Sequence, residues 1–174
     1  MKPAKPLLIL AVLIIAGSTL AQKKPEYEPI KTYKDKYMAL ILKKDIPGLI
    51  KLVKDFHTSD YVHYSKPGKD GTIKKSNMDD AIRGIRKVFA TMDITHSGAK
   101  MDRMEVLPTT VTVLSSTGMS GTLKKETSPD KKPHEMILES QTQDVWVKVG
   151  KVWKMKTSKT LHDRITVDGH SQEG

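Results

Sequence analysis

The chain changes rhythm near residue 94. Before that point apolar residues recur every three or four positions; after it they alternate. Ile30, Tyr33, Tyr37, Leu40 and Ile41 predict a first helix over 30–43. Ile46, Leu49, Ile50, Val53 and Phe56 predict a second, with Asp45 as its cap and Pro47 tolerated in its first turn. Met78, Ala81, Ile82, Ile85, Val88, Phe89 and Met92 line one face of a third. Ser76 and Asp79 read as its capping pair, and it ends near Asp93. Between the second and third helices, the Tyr- and Val-rich stretch 57–64 predicts a strand. Residues 65–75 follow as a loop or small hairpin turning at Gly68 and Gly71.

Beyond Ile94 the pattern predicts four long strands, over 95–106, 110–125, 134–149 and 152–167. Pro108 separates the first pair, Ser128-Pro129-Asp130 turns the middle pair, and Gly118 and Gly121 mark bends or bulges. The sharpest signal is the run from Asp144 to Thr157, two β-branched and aromatic stretches hinged at Gly150. A two-residue turn at Val149-Gly150 or Gly150-Lys151 puts Trp146 opposite Trp153 or Met155. With unbroken alternation, Asp144, Trp146, Trp153, Met155 and Thr157 share one face in either register. Val145, Val147, Val149 and Val152 then share the other with Lys154 and Lys156. Three helices followed by a meandering sheet make an α+β plan.

The first 21 residues change the domain picture. Lys2 and Lys5 precede the unbroken apolar run Leu7–Ala16, and Thr19-Leu20-Ala21 resembles a cleavage site. The run is shorter than the roughly 20 apolar residues that span a bilayer. The expected organisation is a signal peptide over 1–21, a linker over 22–29, one domain over 30–167 and a disordered tail over 168–174. No cysteine follows the apolar run, and the chain contains none. Lipoprotein attachment and a disulfide scaffold are therefore excluded, and bacterial export to the periplasm or medium is the expected location. The net charge of +10 becomes +8 without Lys2 and Lys5. No run of five or more Lys or Arg occurs, and the basic residues are not interleaved with aromatics. A nucleic-acid partner is thus not expected, and no membrane contact is expected after cleavage.

The element order and the D-x-W-x-K-x-G-K-x-W-K hairpin, Asp144 to Lys154, resemble the nuclear-transport-factor-2-like superfamily, in its SnoaL-like and ketosteroid-isomerase-like branch. The resemblance covers about residues 30–167. It implies a strongly curved antiparallel sheet that wraps three N-terminal helices into a cone around a pocket. It also implies roles for particular residues. Tyr37 and Asp144 fall where isomerases of this kind keep their oxyanion-hole tyrosine and protonated aspartate. Met155 and Thr157 fall among the pocket-lining positions of the last strand. The carboxylate base after the second helix is not matched; His63, or Asp60 in a shifted register, would have to serve. Trp146 and Trp153 would either stack on a planar ligand or pack as core.

No HExxH, P-loop, G-x-G-x-x-G or G-x-S-x-G occurs, so no metal or nucleotide cofactor is expected. The leading expectation is a binder of a small apolar or amphipathic molecule held by Tyr37, His63, Asp144, Trp146, Trp153, Met155 and Thr157. It is expected to be a homodimer through Val145, Val147, Val149 and Val152. The alternatives are an isomerase-, dehydratase- or cyclase-like enzyme using Asp144 and Tyr37, and an interaction protein whose cone is filled by its own side chains.

Overall fold

The computed structural model describes residues 27–172. The leader and most of the linker lie outside them. Helix α1 (Glu28–Leu42) begins inside the stretch read as linker, because Pro29 suits a first helical turn. Helix α2 (Ile46–Phe56) is capped by Asp45, whose Oδ1 accepts from the Gly48 amide at 2.9 Å. Helix α3 (Met78–Thr91) carries a capping box one residue later than expected. Asn77 Oδ1 accepts from the Asp80 amide, and Asp80 Oδ2 accepts from the Asn77 amide. Ser76 is drawn instead into a strand pair with His63.

The strands are β1 (His57–Tyr64), β2 (Lys75–Ser76), β3 (Met92–Val106), β4 (Thr110–Leu123), β5 (His134–Val149), β6 (Val152–Val167) and β7 (His170–Gln172). They form one sheet in the order β2-β1-β6-β5-β4-β3, with β7 added to β6. Its pairs are antiparallel except that β1 runs parallel to β6. The tail is not frayed where it is described. Asp168 and Gly169 both take positive φ and make a two-residue turn between Val167 and His170. The Asp168 carboxylate accepts from the Glu135 amide at 2.8 Å and contacts His134 Nδ1 at 2.5 Å, which ties the turn to the sheet.

Gly150-Lys151 is the turn of the main hairpin, with Gly150 at φ +61°. This is the register that sets Trp146 against Met155. Gly121 lies where β3 bulges, between Ile94 and His96; a β-carbon on it would sit 2.1 Å from the Asp93 carbonyl oxygen. Close backbone approach therefore requires glycine there.

The helices lie against the inner face of the sheet and form two apolar clusters. One gathers Ile30, Tyr33, Leu52, Val111, Val113 and both tryptophans. The other gathers Met38, Ile41, Leu49, Val53, Ile85, Met92 and Ile94. The four hairpin valines do not make one open face: Val145 and Val147 are half-buried, whereas Val149 and Val152 stand exposed at the tip.

Candidate functional site

Between the two clusters the cone is not filled. The larger cavity, about 350 Å³, is bounded by α3, α1 and β1. Its walls are mostly apolar, including Ile41, Leu49, Ile85, Val88 and Phe89, with His63 and Asp80 at the polar margin. A second cavity of about 240 Å³ reaches into the cone and ends on Lys34, His57, Thr142, Asp144 and Ser158. The two share Tyr37, Tyr61, Ala81, Ile85 and Met119 as common walls. Both cavities thus have mainly apolar walls, and the second adds a cluster of polar groups at its inner end.

The polar end is built around Asp144, 1% exposed. Its Oδ2 meets Lys34 Nζ at 2.6 Å, and its Oδ1 accepts from the Ser158 hydroxyl at 2.7 Å. Thr142 Oγ1 lies 3.5 Å from Oδ2. Both carboxylate oxygens therefore have a close partner, one of them the Lys34 ammonium. Ser158 is also the hydrogen-bond neighbour of the Tyr61 hydroxyl.

Around this pair burial governs the titratable groups. It pushes the phenols of Tyr33, Tyr37 and Tyr61 above their ordinary range. It lowers His57 to about 4, against partial support from the Val53 carbonyl and Asp144. His57 Nδ1 lies 2.6 Å from that carbonyl, which can only accept; the proton is on Nδ1, and Nε2 is left as an acceptor. His63 is also lowered by burial, and its Nε2 lies 3.3 Å from Thr160 Oγ1. Among the described residues no group of three or more His, Asp or Glu side chains is placed to hold a metal ion.

Of the residues singled out from sequence, Tyr37, His63, Asp144 and Met155 line the interior. Trp146 and Trp153 do not: they are core, buried against Tyr33 and Tyr27, and neither indole N–H has a partner among the described residues. Thr157 also misses the cavity. β6 bulges at Lys156, so Val145 pairs with Thr157 and Asp144 with Ser158. The bulge turns Thr157 to the outer face and brings Ser158 inward. Lys34, His57, Tyr61, Thr142 and Ser158 complete the site. Lys34 had a signal, since it lies four residues from both Ile30 and Met38 on the α1 stripe. Tyr61 did too, sharing strand parity with His63.

No family model matches the chain, and no curated protein matches it. Solved structures do. A conserved protein from Planctomyces limnophilus superposes with a TM-score of 0.61 at 11% identity, over 82% of this chain and 98% of that one. A ketosteroid isomerase-like protein from Erwinia carotovora gives 0.52 at 17%, over 80% and 98%. An NTF2-like protein from Cytophaga hutchinsonii gives 0.53 at 13%, over 76% and 94%. The chain has the NTF2-like cone fold, and at these identities the likeness concerns the fold alone.

Proposed function

We propose that the cone binds a small amphipathic molecule, with its apolar body against α3 and its polar end toward Lys34, Asp144 and Ser158. The observation that carries this is the unfilled interior, mainly apolar in its walls and closed at its inner end by a buried ion pair. Ligand sites are commonly apolar concavities with a few convergent polar groups. A cone filled by its own side chains would have no such space, even with both tryptophans in the core.

Gly84 supplies the test. It lines the larger cavity, and a β-carbon there meets nothing within 4 Å. Gly84→Phe places a ring in the space and removes a helix-interior glycine, so the fold is kept. Native mass spectrometry of the chain, before and after incubation with a metabolite extract, should show a small-molecule adduct on the parent and none on Gly84→Phe. A bare parent chain under both conditions refutes the reading.

A second reading, an acid–base enzyme, is favoured by the grouping of His57, Tyr37, Tyr61 and Asp144 around one cavity. It requires the Lys34–Asp144 pair to open to substrate. With a bound molecule in hand, Asp144→Asn that keeps binding and abolishes turnover supports it; unaltered conversion, or none in the parent, removes it.

A further inference from the structure

The cavity does not account for the far rim of the sheet. The β3–β4 and β5–β6 turns lie side by side there, because Thr110, just after the first turn, pairs with Val147, just before the second. This rim carries four exposed apolar residues: Val106 at 43%, Leu107 at 53%, Val149 at 47% and Val152 at 55%. Single exposed apolar residues are ordinary, but four on adjoining turns form a patch. Lys151 and Lys154 flank it, and Lys148 lies over the Trp153 ring. Glu26, Glu28 and Glu105 are the acidic residues next in sequence to Tyr27 and Val106.

A second observation fixes what the rim faces. The described chain starts at Tyr27, whose ring packs on Trp153, the residue after Val152. The preceding segment is therefore attached at this same rim. That segment contains the apolar run Leu7–Ala16 and the basic pair Lys23 and Lys24. Ten residues separate the apolar run from Tyr27 (17–26), at most about 35 Å when extended. The apolar tips and flanking lysines thus lie at the end of the molecule where the described chain begins.

We infer that this rim docks on an anionic phospholipid surface, the turns of Val106-Leu107 and Val149–Val152 entering the headgroup layer. The lysines meet the negative surface and the tips bury among the acyl boundary. The cone interior opens elsewhere, against α3 and β1, and stays available to a ligand while the rim is docked.

The absence of cysteine makes the test clean. Leu107→Cys and, at the opposite end of β4, Lys125→Cys are made separately in the full chain and labelled with an environment-sensitive fluorophore. Each is mixed with vesicles of roughly one third phosphatidylglycerol in phosphatidylcholine, and with phosphatidylcholine alone. The expected result is a blue shift with about twofold brightening at position 107 on the anionic vesicles only, and none at 125. Lys151→Glu with Lys154→Glu in the Leu107→Cys chain should weaken the response roughly tenfold or more. Because the readout is local, insertion of the leader alone cannot reproduce it: that would leave position 107 unchanged and overturn the inference. Equal responses at 107 and 125 would also overturn it. So would a concentration-dependent shift at 107 without vesicles, which would assign the rim to a second copy of the chain.

Discussion

Replacing Lys34 with methionine should destabilise the protein far more than a surface lysine would allow. The Lys34 side chain is 12% exposed and that of Asp144 only 2%. Removing one member of a buried ion pair typically costs about 3–5 kcal/mol, because the remaining charge is left without compensation. Here Ser158 and Thr142 still contact the carboxylate, so the lower end applies, about 3 kcal/mol. The reverse change should cost less. In Asp144→Leu the lysine keeps a route to water along its flexible stem, and about 1–2 kcal/mol is expected. The double variant, with two apolar side chains facing one another, should return to within about 1 kcal/mol of the parent. Urea unfolding followed by circular dichroism reads all three. With a slope of about 2 kcal/mol/M, Lys34→Met should move the midpoint down by about 1.5 M. A loss under about 1 kcal/mol for Lys34→Met, or additive single effects in the double variant, would refute the buried-pair account.

The buried imidazole makes a pH prediction. His57 is lowered to about 4 in the folded state and titrates near 6.5 when unfolded. Between those values only the unfolded chain takes up the proton, so stability falls as pH drops from 6.5 toward 4. The contribution should approach about 3 kcal/mol at the acid end. It is checked as the difference in urea stability between pH 7 and 5 for the parent and for His57→Gln; equal slopes would count against it. Gly121→Ala should cost more than about 2 kcal/mol, because its β-carbon would overlap the Asp93 carbonyl, whereas Gly118→Ala, with nothing within 4 Å, should stay near neutral. Similar midpoints for the two glycine variants would show that β3 yields at its bulge.

The parts of the fold legible in the sequence were those with a local cause. Helical spacing located α1, α2 and α3 to within about two residues. Gly150 and the flanking alternation located β5 and β6 at the expected bounds. The Asp168-Gly169 turn was equally local, yet 168–174 was expected to be a disordered tail although Asp-Gly is a two-residue hairpin signal. What stayed hidden was non-local. The parallel union of β1 with β6 joins segments about a hundred residues apart, and no local pattern announces it. The site divides in the same way. Asp144, Tyr37, His63 and Met155 were legible from parity and resemblance. The ion pair was not, since Lys34 and Asp144 meet only when α1 lies across β5. The tryptophans stayed between two readings because an aromatic inner face serves a core as well as a pocket; which it serves depends on where α1 lies.

The bulges in β6 mean that its residues are counted in three frames. Odd positions face inward at Trp153 and Met155; even positions do so at Ser158 and Thr160; odd positions return from Asp163, after a second shift at Leu161. Deleting Lys156 would therefore remove the bulge and leave the pairing intact, with Thr157 outward and Ser158 inward in regular alternation after Met155, whereas deleting a residue between Thr157 and Thr160 would throw the middle frame out of step. Position-by-position alignment of this strand with a relative lacking the bulge would equate the wrong side chains at the very point where Asp144 finds its partner.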